Sequence, residues 1–96
     1  PKETNAQILL ANLYTNFNRI DLAMDLYRDC LQLKPNSAET YMLLGNAHYL
    51  QGEIEQAVAA YRAAINIEPE NDEYKLIYLQ IVDEYIDKKR NGEVAA

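Results

Sequence analysis

The sequence predicts an all-α fold of about five helices, built from repeated pairs of antiparallel helices. Apolar residues recur every three or four positions along the chain and never alternate over a long stretch, which favours helices over strands. Pro35 and Pro69, which exclude a helix interior, stand 34 residues apart. A chain of 96 residues forms one small domain at most, so we expect residues 1–96 to be a single domain.

The same chain contains an internal repeat. Residues 4–37 align without a gap on residues 38–71, and 8 of the 34 aligned pairs are identical. The identical pairs are Leu9 and Leu43, Leu10 and Leu44, Asn12 and Asn46, Ile20 and Ile54, Ala23 and Ala57, Tyr27 and Tyr61, Arg28 and Arg62, and Pro35 and Pro69. Stacking such units buries one continuous core. We therefore expect repeat 1 at 4–37, repeat 2 at 38–71, a terminal or partial third-repeat helix at 72–90 and a tail at 91–96.

Turn residues indicate where the helices of each repeat begin and end. Ser37 can cap a helix that starts at Ala38, and Gly52 can end that helix in a left-handed turn. A second helix then runs from about residue 53 to residue 67. Asn18 stands at the position of Gly52 in the first repeat, and asparagine is the other residue that tolerates a positive φ.

The last helix departs from the repeat pattern. Asn71 would cap this helix. Leu79 stands where the two repeats have the small residues Ala11 and Gly45, so a following helix could not approach it as closely. One apolar stripe should pack on the second repeat: Tyr74, Ile77, Tyr78, Ile81, Val82 and Tyr85. Leu76, Leu79 and Ile86 lie on another side, where a terminal helix would be polar. Either a homodimer, with Leu79 and Ile86 as self-association residues, or the continuation of a longer repeat array would cover them.

The spaced residues resemble the tetratricopeptide repeat, whose pattern is W-x2-L-G-x2-Y…A-x3-F…P. The second unit supplies Tyr41, Leu44, Gly45, His48, Ala57, Tyr61 and Pro69, and the first supplies Gln7, Leu10, Ala11, Tyr14, Ala23, Tyr27 and Pro35. The departures are Gln7, which lacks the aromatic ring, and His48, which replaces the tyrosine. The resemblance covers residues 4–71. It implies a right-handed α-superhelix and a protein–protein interaction module.

Composition excludes several classes of partner. The net charge of −6 argues against nucleic acid, because phosphate contacts need a surplus of lysine and arginine. No run of 18 apolar residues exists, so we expect no membrane insertion. The single cysteine, Cys30, cannot form an intramolecular disulfide, and nothing indicates an oxidising compartment, which favours the cytoplasm. We expect Cys30 to be a buried thiol, because the second repeat has a small residue at its position.

No pattern of residues points to catalysis. His48 has no nucleophile or carboxylate partner that the sequence makes visible. One histidine and one cysteine are too few for the usual metal-ligand clusters. Gly45 and Gly52 do not form a phosphate loop, since no strand precedes them. We therefore expect no enzyme, no cofactor and no metal.

The resemblance implies that the first helix of each pair lines a concave groove. Helical spacing then places in the groove Asn5, Ile8, Asn12, Thr15 and Asn16 from the first unit, Glu39, Met42, Asn46, Tyr49 and Leu50 from the second, and Glu73, Leu76, Gln80, Asp83 and Glu84 from the last helix. An exposed apolar strip is expected from Ile8, Met42, Tyr49, Leu50 and Leu76. Asn12 and Asn46 stand one repeat apart, and each amide offers a donor and an acceptor to a peptide backbone.

The family's carboxylate clamp, which grips the C-terminus of large heat-shock chaperones, is not expected in this groove. Of the clamp positions only Asn12 fits; the others carry Ile8, Leu43, Glu73 and Ile77. The four groove charges are acidic (Glu39, Glu73, Asp83 and Glu84) and would repel a carboxylate. We expect instead a peptide or helix with apolar and basic residues. A structural scaffold that self-associates through the last helix, and an accessory segment of an enzyme whose catalytic domain lies elsewhere, stay open as alternatives.

Overall fold

The computed structural model describes residues 2–92, which form five helices joined by short turns. The helices are α1 (Lys2–Asn16), α2 (Ile20–Leu33), α3 (Ala38–Leu50), α4 (Ile54–Ile67) and α5 (Asp72–Arg90). No strand occurs within this described range, and the all-α prediction is confirmed. Of the predicted tail, 93–96 lies outside the described residues. A search of the described helices finds none with the length and apolar character needed to cross a membrane.

Each helix packs on the one that follows it in the chain. The contacts run α1 to α2, α2 to α3, α3 to α4 and α4 to α5, and the molecule measures 45 × 31 × 18 Å. A chain of nearest-neighbour contacts is typical of stacked helical units. The division into repeats at 4–37 and 38–71 remains a prediction, although α1–α2 and α3–α4 are the helix pairs it requires.

The predicted caps and turns are present. The side chains of Ser37 and Asn71 each accept a hydrogen bond from the backbone N–H three residues later, at 3.2 Å, and so satisfy a donor at the start of α3 and α5. Asn18 has a φ of 61° and Gly52 a φ of 79°, which places both in the left-handed region. These turns reverse the chain between the two helices of each pair.

Two clusters of apolar side chains form the core. The first joins α1, α2 and α3 through Ala11, Ile20, Ala23, Met24, Tyr27, Leu44 and Ala47. The second joins α3 and α4 through Ala38, Met42, Ala57, Tyr61 and Ala64, with Tyr74, Ile77, Tyr78 and Ile81 of α5 packed against it. Tyr27 and Tyr61 are the largest fully buried side chains, and they occupy the same position in the 34-residue register. The helices therefore assemble around one tyrosine per pair.

Cys30 is a buried free thiol, as predicted. Its Sγ donates to Oε1 of Gln7 at 3.3 Å, which links α2 to α1. Burial raises the pKa of the Cys30 thiol, and the nearby Asp29 charge acts in the same direction. A neutral thiol is a poor nucleophile, so this cysteine serves packing.

Gly45 allows α3 and α4 to approach closely. A methyl group at this position would lie 2.6 Å and 2.7 Å from two ring carbons of Tyr61. Replacing a glycine by alanine at an open helix position usually stabilises by about 0.5–1 kcal/mol. For Gly45→Ala we expect the opposite sign, a loss of about 1–3 kcal/mol, because the buried ring must move. Urea unfolding followed by circular dichroism measures the change.

The control for this prediction is Ala59→Gly on the exposed side of α4. It reports the ordinary propensity difference, a loss of about 0.5–1 kcal/mol, without touching the helix contact. A Gly45→Ala protein as stable as the unmodified chain would show that the two helices are not in tight contact here.

Candidate peptide-binding groove

Each of the two repeated asparagines is held by the tyrosine of its own helix pair. The Tyr27 hydroxyl donates to Oδ1 of Asn12 at 2.6 Å, and the Tyr61 hydroxyl donates to Oδ1 of Asn46 at 2.6 Å. One acceptor site of each amide oxygen is thus used inside the protein. The expectation that each amide offers a donor and an acceptor to a ligand stays a prediction, with one of the two lone pairs of each oxygen already taken.

The protonation state of the tyrosines fixes the direction of these hydrogen bonds. Burial, with a smaller effect of Tyr49, raises the pKa of Tyr61 to about 12. Burial likewise raises the pKa of Tyr27. Both hydroxyls keep their protons at physiological pH and act as donors. Within the described residues, neither Asn12 nor Asn46 uses its Nδ2 group in a hydrogen bond to the protein.

Both asparagines line one surface depression between α1 and α3. It has a volume of about 320 Å³ and is lined by Asn12, Thr15, Asn16, Tyr27, Leu43, Asn46 and Ala47. Asn12 is half-buried and Asn46 is exposed. The asparagine amides therefore share this depression with the apolar side chain of Leu43, and a mixture of polar and apolar lining residues is common in ligand sites.

The expected exposed apolar strip is interrupted. Met42 is only 5% exposed, because it belongs to the core cluster with Tyr61, and its expected place on an open surface is wrong. Leu50 and Leu76 are exposed, while Ile8 is half-buried. Helical spacing identified the side of α3 on which Met42 lies but could not show that α4 and α5 close over it.

Side-chain contacts join α3 to α5. The Tyr49 hydroxyl donates to the Glu84 carboxylate, at 2.9 Å and 3.2 Å to its two oxygens, and Lys88 Nζ lies 3.3 Å from Oε1. The hydrogen bond to Glu84 raises the pKa of Tyr49, and burial adds to the effect. Tyr49 therefore joins two helices, and Lys88 offsets the Glu84 charge that we expected to face a ligand.

Other predicted acidic residues stay exposed. Glu39, Glu73 and Asp83 are exposed, as are Asn5, Asn16 and Gln80. Burial raises the pKa of Tyr74, and the charges of Glu68, Glu39 and Glu73 raise it further. The charges of these carboxylates therefore act on the Tyr74 hydroxyl. The electrostatic potential is negative near the beginnings of α3 and α5, where Glu39 and Glu73 lie.

His48 has a carboxylate partner that we did not expect. Its Nδ1 lies 2.9 Å from Oε1 of Glu53, and the backbone N–H of Glu53 donates to the His48 carbonyl, also at 2.9 Å. The pair spans the Gly52 turn and holds α3 to the start of α4. The sequence contained a signal for this contact: His48 and Glu53 stand on opposite sides of Gly52, whose positive φ turns the chain back on itself. In the part of the chain that the structure describes, no group of three or more His, Cys, Asp or Glu could hold a metal ion.

The fold and a family comparison agree. The family model described as tetratricopeptide repeat matches residues 18–81. The chain belongs to the tetratricopeptide repeat family. Repeats of this family generally mediate protein–protein interactions and are typically non-catalytic. The crystal structure of MamA has a TM-score of 0.69 and 20% sequence identity, with 92% of this chain and 61% of that chain covered. At this identity the likeness concerns the fold, an α-superhelix of helix pairs.

Curated relatives with this repeat are much longer. Mouse BBSome complex member BBS4 is 37% identical over 71 residues, which is 70% of this chain and 14% of BBS4. Anaphase-promoting complex subunit 6 of Dictyostelium discoideum is 36% identical over 58 residues, 60% of this chain and 7% of the subunit. This tetratricopeptide chain therefore spans about a seventh, or less, of the length of these relatives.

Proposed function

We propose that this tetratricopeptide chain binds a peptide segment of a partner protein in the depression between α1 and α3. The Nδ2 groups of Asn12 and Asn46 would donate to backbone carbonyl oxygens of the segment. The observation that carries the proposal is the pair of hydrogen bonds from Tyr27 and Tyr61, at 2.6 Å each. They hold each amide oxygen from inside the protein and so orient two Nδ2 donors 34 residues apart.

The fixed orientation of the two Nδ2 donors favours recognition of the backbone of a bound peptide. An amide whose oxygen is already held loses little rotamer freedom when a ligand arrives, which reduces the entropic cost of binding. Backbone carbonyls recur along any extended peptide, so donors spaced by the repeat can bind segments of varied sequence. Leu43, a partly buried side chain in the same depression, would contact an apolar side chain of the segment.

The charges favour a segment that carries lysine or arginine. Glu39 and Glu73 are exposed near Tyr74, toward the beginnings of α3 and α5, and the whole chain has a net charge of −6. Complementary charge speeds encounter and selects among partners more than it adds affinity. Exposed Leu50 and Leu76 would contact further apolar residues of the segment.

The module would act without catalysis. BBS4 and the anaphase-promoting subunit, whose repeats this chain resembles, are by name members of multisubunit complexes. A role in holding one protein to another agrees with the absence of a catalytic constellation in the sequence. We therefore place this chain among binding modules of larger assemblies.

The double substitution Asn12→Asp and Asn46→Asp tests the proposal. Aspartate keeps an acceptor for each tyrosine hydroxyl but replaces the Nδ2 donor by an oxygen that repels carbonyl groups. Random 12-residue peptides displayed on phage are selected on the unmodified chain, and the enriched peptides are synthesised. We expect sequences with Lys or Arg and apolar residues, and at least about tenfold weaker binding to the variant, since each lost hydrogen bond contributes about 0.5–1.5 kcal/mol.

The matched control is Asn36→Asp with Asn66→Asp, two exposed positions outside the depression. It adds the same charge, and added negative charge alone would strengthen the binding of basic peptides. Equal affinity of the selected peptides for the unmodified chain and the groove variant would contradict the proposal. Circular dichroism of both variants checks that the fold is retained.

The exposure of α5 favours a second candidate, a scaffold built by self-association. Leu79 is 54% exposed and Ile86 46% exposed, on a helix without a fully buried residue among those described. Sedimentation equilibrium separates the two functions. Leu79→Glu with Ile86→Glu would lower the mass of a scaffold, whereas the groove variant would leave it unchanged.

A further inference from the structure

The turn that ends α5 places an asparagine directly before a glycine. Asn91 is followed by Gly92, and each of the other asparagines is followed by a residue that carries a side chain. The backbone nitrogen of the next residue is the nucleophile nearest in sequence to an asparagine side-chain amide. A following glycine hinders its approach least, because glycine has no Cβ and tolerates unusual backbone angles.

The structure leaves this turn open to water and lightly held. Asn91 and Gly92 are both exposed, and a Cβ added to Gly92, which has a φ of 75°, would meet no atom within 4 Å. Two backbone hydrogen bonds hold the turn, from Asn91 N–H to the Asp87 carbonyl at 3.0 Å and from Gly92 N–H to the Lys89 carbonyl at 3.1 Å. Only the second must open before the Gly92 nitrogen can react, and the ends of helices fray.

Other asparagines of the chain are less free to react. Five of them lie within helices: Asn5, Asn12, Asn16, Asn46 and Asn66. Their main chain cannot rotate without loss of helical hydrogen bonds. Asn36 lies in a turn, but it precedes Ser37, whose side chain accepts a hydrogen bond at the start of α3. Steric hindrance and local order are therefore lowest at the turn after α5.

We infer that Asn91 is a site of spontaneous deamidation, with water and hydroxide as the co-reactants. The Gly92 backbone nitrogen loses its proton to hydroxide and attacks Cγ of Asn91. The new N–Cγ bond closes a succinimide ring, the Cγ–Nδ2 bond breaks, and Nδ2 takes up a proton and leaves as ammonia. Water then opens the ring at one of its two carbonyl groups, which gives aspartate or isoaspartate.

The product changes the end of α5. A carboxylate at residue 91 adds negative charge at the C-terminus of a helix, where the macrodipole is already negative. Isoaspartate also inserts a methylene group into the main chain, so the hydrogen bonds to Asp87 and Lys89 no longer fit the helix. The last turn of α5, which includes the contact of Lys88 with Glu84, therefore loses order in the modified chain.

Incubation of the full chain at mildly alkaline pH, in buffer and in urea, tests the inference. Mass spectrometry of tryptic peptides locates the modified residue, and an isoaspartate-specific methyltransferase with a labelled methyl donor measures the isoaspartate. We expect conversion of Asn91 in the folded chain to be at least about tenfold faster than conversion of Asn36. Urea should accelerate conversion of Asn91 only about two- to tenfold, the factor that one exposed hydrogen bond provides.

The matched control is Asn91→Gln, which keeps an amide in the turn but must close a larger and slower-forming ring. It should abolish modification at residue 91 and leave conversion of Asn36 unchanged, and circular dichroism checks that the helices are retained. If Asn91 stays intact in buffer and converts only in urea, the turn protects it and the inference is overturned. Conversion of Asn36 ahead of Asn91 in the folded chain would overturn it as well.

Discussion

Replacing Tyr61 by alanine is expected to lower the free energy of unfolding by about 3–5 kcal/mol, the cost of removing a large buried aromatic side chain. Tyr61 is 1% exposed, packs in the cluster that joins α3, α4 and α5, and lies against Gly45. Ala57 and Ala64, which share its cluster on α4, have short side chains and can fill little of the space. The free energy of unfolding of ordinary domains is about 5–15 kcal/mol, and small domains lie toward the low end of this range. We therefore expect part of the Tyr61→Ala population to be unfolded at 37 °C.

Tyr85→Ala is the control for this prediction. Tyr85 is half-buried on α5, and its hydroxyl donates to Glu55 at 2.7 Å on the surface. The same change of side chain should cost less there, about 1–2 kcal/mol, because Tyr85 is only partly buried and the hydrogen bond that is lost is exposed to water. Urea unfolding of the two variants gives the comparison. Equal losses would show that Tyr61 is not the central packing residue of its helix pair.

The second large effect is a loss of stability at high pH. Tyr61 has a pKa of about 12 in the folded chain, against 10.0 for an unperturbed tyrosine. Below pH 10 the folded and the unfolded chain both keep the Tyr61 proton, so this group does not change the free energy of unfolding. Between pH 10 and pH 12 the unfolded chain releases the proton while the folded chain retains it, so rising pH favours unfolding. We expect Tyr61 to contribute a loss of about 2–3 kcal/mol by pH 12.

Tyr61→Phe isolates this effect from the other tyrosines. Phenylalanine keeps the packing but loses the hydrogen bond to Asn46, so the variant should be about 1 kcal/mol less stable at neutral pH. Phenylalanine does not ionise, so the deficit should shrink above pH 10 and reverse near about pH 11, because the unmodified chain loses about 1.4 kcal/mol per pH unit in this range. Urea unfolding from pH 8 to pH 12 measures both curves. Curves that stay parallel would contradict the protonation argument.

The local parts of the fold could be predicted because they depend on residues near in sequence. Ser37 and Asn71 cap helices that begin at the next residue, and Asn18 and Gly52 adopt a positive φ, for reasons contained in a few residues each. Because the sequence repeats, the same local signals predicted the helix boundaries in both units. Tyr27 and Tyr61 could be assigned to packing because the same residue returns after 34 positions.

The candidate site was harder to predict, because its state depends on contacts between helices. Spacing placed Asn12 and Asn46 on the first helix of each pair, but not within reach of a tyrosine hydroxyl 15 residues later that would occupy the amide oxygen. Met42 lay on the expected side of α3 and is nevertheless buried, because it packs in the cluster with Ala57 and Tyr61 of α4. A periodic pattern indicates which way a side chain points, and a neighbouring helix decides whether it reaches water.

The exposure of two leucines on α1 was missed for a related reason. Leu9 and Leu10 align with Leu43 and Leu44, and the alignment identified all four as packing residues. Within the described residues Leu10 is 43% exposed, whereas Leu44 is 8% exposed. An alignment identifies equivalent positions but does not show how far a neighbouring helix buries each of them.

The most direct test of the central claim is the NMR signal of the asparagine side-chain amides. The chain is labelled with ¹⁵N and titrated with the tightest peptide from the display selection. We predict that the Nδ2 resonances of Asn12 and Asn46 shift on binding and exchange more slowly with water, while those of Asn66 on α4 stay unchanged. Unchanged Asn12 and Asn46 amides, with shifts confined to α5 or to Leu9 and Leu10 of α1, would contradict the proposal that the groove binds the peptide through these donors.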